Sequence, residues 1–210
     1  MAYFENEINL ILPKINELLK SKERIIIAID GRCTSGKTTL AKALAGALSA
    51  PFVSCDDFFL PEEKRTKERL SEIGGNMERE RLYAEVLLPF IQGKAVSYRP
   101  FLCQTFALGN AITLEKSRIL IVEGSYSCHK DLWACYDLHV FLDISKEEQK
   151  KRILARNPQK ADAFFTKWIP MEEAYFADGR VEAYFADGRV KEMAELCFSA
   201  QVVEKFEANP

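Results

Sequence analysis

The run Arg24-Ile25-Ile26-Ile27-Ala28-Ile29-Asp30 passes straight into Gly31-Arg32-Cys33-Thr34-Ser35-Gly36-Lys37-Thr38, and an Ala/Leu-rich segment follows from Lys37 to about Leu48. No other stretch constrains the fold as tightly. A continuous β-branched run reads as a strand buried on both faces of a parallel sheet. The residues after it fit GxxxxGK[ST], with the strand before and the helix after that the pattern requires. Glycines let the backbone wrap an anion closely, and successive N–H groups point inward as a nest. The helix starting at Lys37 adds its positive N-terminal dipole. A glycine turn matching the pattern by chance would not also carry strand, helix and spacing. Gly31, Arg32, Cys33, Thr34, Ser35, Gly36, Lys37, Thr38 and Thr39 are therefore the candidates for holding ATP. Lys37 is expected on the β/γ-phosphates, where it is also a catalytic candidate, and the Thr38 hydroxyl on Mg²⁺.

The remaining elements read as strands alternating with helices. Residues 5–20 carry Ile8, Ile11, Leu12, Ile15, Leu18 and Leu19 at helical spacing, with Pro13 expected to break the helix or delay its start. Residues 51–55 form a short strand, 78–91 an amphipathic helix, and 95–101 an extended segment limited by Pro100. Buried strands follow at 118–123 and 136–144, then a helix at 145–156 opened by a capping box of Ser145 and Glu148. Residues 196–203 supply a last strand. Such alternation predicts an α/β fold: a three-layer P-loop NTPase architecture, mostly parallel, with helices on both faces and a small lid. One domain accounts for all 210 residues: an N-terminal helix over 1–23, a mobile segment over 58–77 on the acceptor side, and a lid region over 152–172.

Composition removes other classes. Lys plus Arg is 29 against 31 Asp plus Glu, so no global basic field draws the chain to nucleic acid or an anionic membrane. No apolar run is long enough to cross a bilayer, and the acidic start MAYFENEINL has no secretory pattern. Six scattered cysteines without a CxxC pair read as reduced thiols of a cytoplasmic protein. With only two histidines and no clustered Cys/His spacing, no zinc site is expected, and His139, inside YDLHVFLDI, reads as a core histidine.

Three further groups bear on chemistry. Asp56 and Asp57 end the second strand, and in a parallel sheet neighbouring carboxyl ends share one crevice. A carboxylate there can take the proton of an attacking hydroxyl or hold Mg²⁺, and Asp56 is the candidate base, its neighbour the one more suited to capping a turn. Glu123 closes RILIVE, where a Walker-B acid would sit, and joins Thr38 and Asp56 as a metal candidate. Arg152 and Arg156, four apart on one helix face, could close over the transferring phosphoryl group, although a solvated face explains them equally well.

One segment stands apart. Glu173–Val181, EAYFADGRV, recurs letter for letter as Glu182–Val190. A nine-residue shift along a helix is 2.5 turns, so the copies would face opposite sides. Local duplication or a cloning artefact explains 173–190 better than a working repeat, and one copy is expected to pack poorly.

With these residues assembled, the chain resembles the uridine kinase family of P-loop kinases, alongside phosphoribulokinase and bacterial pantothenate kinase. The likeness runs from about Ile25 to Tyr175 and rests on IAIDGRCTSGKTTLA, VSCDDFFLP, GGNMERERLYAEVLLPFIQGKAVSYRPF, ILIVEGSYSCH and YDLHVFLDISKEEQKKRILAR. WIPMEEAYF is similar to the segment after the family's lid. The resemblance implies transfer of the ATP γ-phosphoryl group to a primary hydroxyl, most simply the 5′-hydroxyl of uridine or cytidine, with ATP and Mg²⁺ as cofactors and a nucleoside-like small molecule as partner. It makes Asp56 the catalytic aspartate, and places Asp57, Phe59, Glu78, Tyr98 and Arg99 on the acceptor side. Phe59 stands where a tyrosine is common, and no histidine follows Tyr98, whose neighbourhood reads RPFLCQ. The family's Arg-Gly-Arg lid is absent, leaving Arg152, Arg156 and Lys167 to supply cations. Self-association is left open. Rival readings are a kinase for another alcohol, an NTP-binding switch without an acceptor, and a kinase fold that has lost catalysis.

Overall fold

The structure is a computed structural model that describes residues 4–177 and 194–199. Strands β1 (Ile25–Gly31), β2 (Phe52–Ser54), β3 (Ile119–Glu123), β4 (Leu138–Asp143) and β5 (Leu196–Ser199) form one sheet in the order β2-β3-β1-β4-β5. Every pairing is parallel, with Ile27 of β1 opposite Ile121 on one side and Leu138 on the other. The first strand is thus central, and all seven of its residues are buried, as its unbroken apolar run requires.

Alternation along β1 builds the layers. Ile25, Ile27 and Ile29 pack with Ile11 and Ile15 of α1 (Glu5–Ser21) and Leu40 and Leu44 of α2 (Lys37–Leu48). Ile26 and Ala28 face the opposite core, where Leu82, Val86 and Phe90 of α3 meet Phe141, Tyr136 and Tyr175. That helix opens as Arg79–Leu82, widens into a π-helical turn over Tyr83–Leu87 and closes as Leu88–Ile91. The wide turn precedes Pro89, which has no N–H for a regular ladder. Burial on both faces gives the three-layer α/β fold expected from the alternating pattern.

Two local expectations are corrected and a third is refined. Helix α1 runs through Pro13 without breaking, because Pro13 and Asn9, whose carbonyl loses its donor, both face water. Only half the capping box at 145–148 forms: the Ser145 Oγ accepts the Glu148 N–H at 3.2 Å, while the Glu148 carboxylate receives Arg152 instead. The extended segment at 95–101 is two short ladders, Ser97–Tyr98 with Ile112–Thr113 and Phe101–Leu102 with Ala107–Leu108. His139 is the core histidine expected, stacked on Trp133 at 3.7 Å between centroids and facing Glu195.

Helix α4 (Lys146–Arg156) follows β4, and the region of the expected lid continues as short helical pieces from Pro158 to α5 (Ile169–Ala177). The first copy of the duplication enters α5 with Tyr175 buried and Phe176 edge-on to Phe141 at 5.2 Å. The second copy, and the expectation that one copy packs poorly, lie outside the described residues, as do residues 200–203 of the expected last strand. Among the described residues no helix is long and apolar enough to cross a membrane.

His129 ends the loop after β3 and accepts the Asp131 N–H at 3.2 Å through Nδ1, capping the short helix Lys130–Trp133. Burial, and then the Arg79 guanidinium, push its pKa down to about 4. The unfolded chain therefore binds a proton near pH 6.5 that the folded chain refuses, so this group contributes stability above its unfolded pKa that drains away as pH falls toward 4. Replacing His129 with Asn keeps a capping acceptor and removes the proton. Urea unfolding should show the wild type losing on the order of 2–3 kcal/mol relative to His129→Asn between pH 7 and pH 4.

Candidate functional site

The phosphate loop leaves β1 at Gly31, whose φ of +139° and position leave no room for a side chain: an added Cβ would stand 2.0 Å from the Leu142 carbonyl oxygen. The loop therefore crosses directly over the end of β4, and the Arg32 N–H donates to that same carbonyl at 3.1 Å. Thr34 holds a φ of +61°, left-handed backbone that β-branched residues avoid. Strain of this kind concentrates at functional loops. The Thr34 and Ser35 hydroxyl oxygens are buried in the loop without a protein partner. Lys37 bends back so that its ammonium donates to the Gly31 and Arg32 carbonyls, each at 2.8 Å.

Beside the loop, the carboxyl ends of three adjacent strands converge. From β3, the Glu123 carboxylate receives the Thr38 hydroxyl at 3.2 Å and the Ser54 hydroxyl at 2.7 Å. Ser54, from β2, also accepts the Asp56 N–H at 3.4 Å, so one hydroxyl joins the Glu123 carboxylate to the main chain of Asp56. Burial pushes the Asp56 carboxyl up, with Asp57 adding to it, against the pull of Lys37 and Arg156. Burial likewise raises Glu123. Thr38, Asp56 and Glu123 present hard oxygen donors, a set that fits Mg²⁺. Ser54 was missed in the sequence; its signal is that of an N-cap serine just before the acid pair.

Asp57 turns away from this cluster to receive the Tyr98 hydroxyl at 2.8 Å, and Tyr98 stacks on Phe58 at 5.2 Å. The Arg81 guanidinium covers the Phe58 ring at 4.4 Å and donates to the Asp57 carbonyl. Glu78, almost fully buried, pairs with Arg81 and with Lys64, which reaches in from the acceptor-side segment. Asp57, Glu78 and Tyr98 are thus brought into one network, while Phe59 pairs through its backbone with Met77. Arg99 is directed elsewhere: its guanidinium donates to the Gly109 and Leu108 carbonyls and braces the second short ladder.

The expected lid cations separate. Arg152 donates to Glu148 and to the Thr34 carbonyl, gripping the loop from outside. Arg156 is exposed and bears on the charge of Asp56, and Lys167 is exposed on the helical stretch that leads into α5. Cys33 faces Glu172 and Gln149, and burial, then Glu172, push its thiol up to about 12, which leaves little thiolate for oxidation.

The sequence also gave no sign of what α5 does here. Its Glu172 carboxylate accepts the Cys33 N–H at 2.5 Å and the Gln149 amide at 3.0 Å. Glu173 pairs with Arg32, whose guanidinium lies 5.1 Å from the Phe176 ring centroid. Tyr175 donates to Asp30, a fully buried carboxylate that also accepts the Gly31 and Cys128 N–H groups.

No protein-family model and no curated protein matches this sequence. Solved structures do match its shape. A "possible uridine kinase" from Bacillus stearothermophilus superposes with a TM-score of 0.60 at 19% identity, over 93% of this chain and 98% of that one. The fold is that of the P-loop kinases. YFH7 from Saccharomyces cerevisiae, described as a candidate P-loop containing kinase with a circular permutation, gives the same TM-score and coverage at 12% identity. At these identities the P-loop kinase likeness is one of architecture.

The close approach at Gly31 is testable against a second glycine. Gly46 sits exposed inside α2, with nothing within 4 Å of an added Cβ. Gly46→Ala should stabilise the fold by about 0.5–1 kcal/mol through helix propensity. Gly31→Ala must push β1 from β4 and adopt a disfavoured φ, and should cost more than about 2 kcal/mol in urea unfolding.

Proposed function

We propose that this protein is an ATP-dependent kinase that transfers the γ-phosphoryl group to a hydroxyl of a small molecule, the 5′-hydroxyl of uridine or cytidine being the first candidate. The observation that carries the reading is the meeting of Lys37, Thr38, Glu123 and Asp56 at one crevice, with the Ser54 hydroxyl joining the Glu123 carboxylate to the Asp56 main chain. A switch that only binds nucleotide has no use for a second carboxylate, open to an acceptor, beside the phosphate loop. The P-loop kinase fold and the uridine kinase-like motifs support the same reading.

In this mechanism the loop N–H groups and Lys37 hold the phosphates, and Thr38, Asp56 and Glu123 would hold Mg²⁺, which supplies charge neutralisation when bound. Asp56 orients the acceptor hydroxyl and receives its proton as the new oxygen–phosphorus bond forms and the bond to the ADP oxygen breaks. A carboxyl raised by desolvation of its charged form and by Asp57 beside it is a better base for this purpose than an ordinary one. Among the described residues, Arg156 and Lys167 are exposed cations that would approach the transferring group from the lid side, and closure there would exclude water that competes for it. The free thiols among the described residues suit a reducing, cytoplasmic setting.

A different alcohol acceptor is favoured by one specific observation. The Tyr98 hydroxyl and Asp57, two groups expected to read the acceptor, are bonded to each other, and Cys103 rather than a histidine stands five residues after Tyr98. The deciding measurement is ADP release from MgATP with uridine, cytidine, other nucleosides, pantothenate or no acceptor. Stimulation by a pyrimidine nucleoside supports the first reading, and stimulation by another alcohol moves the acceptor but keeps the chemistry. Equal release with and without every acceptor would instead favour an NTP-binding switch. With the stimulating acceptor, Asp56→Asn should lower turnover about 10²–10⁴-fold while leaving MgATP affinity within about threefold.

A further inference from the structure

Glu172 lies outside the machinery described above, yet it reaches the phosphate loop through its backbone. Its Oε1 accepts the Cys33 N–H at 2.5 Å and lies 3.4 Å from the Ser125 hydroxyl. Its Oε2 accepts the Gln149 amide, which also donates to the Cys33 carbonyl at 3.3 Å and to the Cys33 sulfur at 3.2 Å. Glu172 and Gln149 are both almost fully buried, with 3% and 2% of their surfaces exposed. The peptide groups on both sides of Cys33 are thereby clasped between α4 and α5. A buried carboxylate is costly unless its oxygens find donors, and here each oxygen has one.

We infer that Glu172 is a positioning residue of the nucleotide site: through Cys33 and Gln149 it sets the turn of the phosphate loop that aims the following N–H groups at phosphate. This rests on the loop binding a nucleotide, as in the proposed function. The remaining contacts of α5 point the same way, since Glu173 and Phe176 hold Arg32 and Tyr175 holds Asp30, so that one helix engages three of the four residues from Asp30 to Cys33. Glu172 alone among them takes a main-chain N–H of the loop, and main chain is what binds phosphate there.

Two readouts on the full-length chain test this. The first is hydrogen–deuterium exchange of the peptide containing Gly31–Thr38 in nucleotide-free protein. The second is MgATP affinity by calorimetry. Glu172→Ala should speed exchange in that peptide at least tenfold and weaken MgATP at least tenfold. Glu172→Gln keeps an acceptor for the Cys33 N–H but turns an amide donor toward the Gln149 amide donor, so it should lie between wild type and Glu172→Ala in both. Thermal unfolding of each variant shows whether it is folded. A folded Glu172→Ala protein with unchanged loop exchange overturns the inference, as does tighter MgATP binding, which would make Glu172 an internal competitor of phosphate. Glu172→Gln as impaired as Glu172→Ala overturns the hydrogen-bond account. Wild type that fails to bind MgATP would sink the kinase reading, while the exchange experiment would still decide whether Glu172 positions the loop.

Discussion

The ammonium of Lys37 is shared. Tied to two carbonyls of its own loop, it also bears on the charges of Asp30, Asp56, Glu123 and Glu172. In each of those carboxyls burial outweighs the pull of the ammonium, so all four stand above their ordinary range. Four acids around one cation, three of them buried, make a site whose charges are balanced only in part by the protein. The arrangement has a clear division. Asp30 and Glu172 face the main chain of the loop and take N–H bonds, whereas Asp56 and Glu123 face the crevice, where Glu123 takes two hydroxyls and the Asp56 N–H donates to one of them. On the proposed function the first pair shapes the anion nest and the second offers oxygen to a dication. On the kinase reading, a nucleotide chelated to Mg²⁺ satisfies both halves at once, which a bare anion cannot do beside so much acid.

Shape enforces the same division. Gly31 lets the chain cross the Leu142 carbonyl at a distance no other residue could tolerate, and this sets where the loop begins relative to β4. From β4 the chain turns into α4, whose Gln149 and Arg152 return to the Cys33 and Thr34 carbonyls. Carbonyls that turn outward from a nest need partners of their own, because inward N–H groups and outward carbonyls come from the same peptides. Helices α4 and α5 satisfy the outer surface of the loop, which on the proposed function leaves its inner surface to phosphate. The strained φ at Thr34 persists under that support.

What could be read from the sequence follows the range of each interaction. The buried strand, the loop and α2 are contiguous, and a local pattern with one physical purpose identified all three. Parallel order followed from alternation, because right-handed crossovers leave few alternatives. Pro13 misled because a proline rule assumes the lost bond matters, and at an exposed turn water replaces it. Glu148 misled because a capping box looks only three residues away, while Arg152 four residues on offered it a charged partner. Ser54, Gln149, Glu172 and Tyr175 were illegible for a different reason. Each is an ordinary residue in its own segment and gains its role only from a partner 69 to 145 positions distant. No periodicity or short motif encodes such pairs.

The duplication shows what that long-range code contains. Its first copy supplies Glu173, Tyr175 and Phe176, which meet Arg32, Asp30 and Phe141. The second copy spells the same letters at Glu182, Tyr184 and Phe185, so three of the four contacts are written twice. The fourth is written once, because the residue before the second copy is Val181 where the first has Glu172. A helix docked in the later register would set an isopropyl group against the Cys33 N–H and the Gln149 amide. Two buried donors would lose their acceptor, at about 1–3 kcal/mol each. Apolar contacts, the tyrosine hydroxyl and the arginine pair cannot tell the registers apart, since both provide them. A single carboxylate can. Of the four contacts that the first copy and its preceding residue make with the loop and its surroundings, Glu172 is the one that the repeat failed to copy.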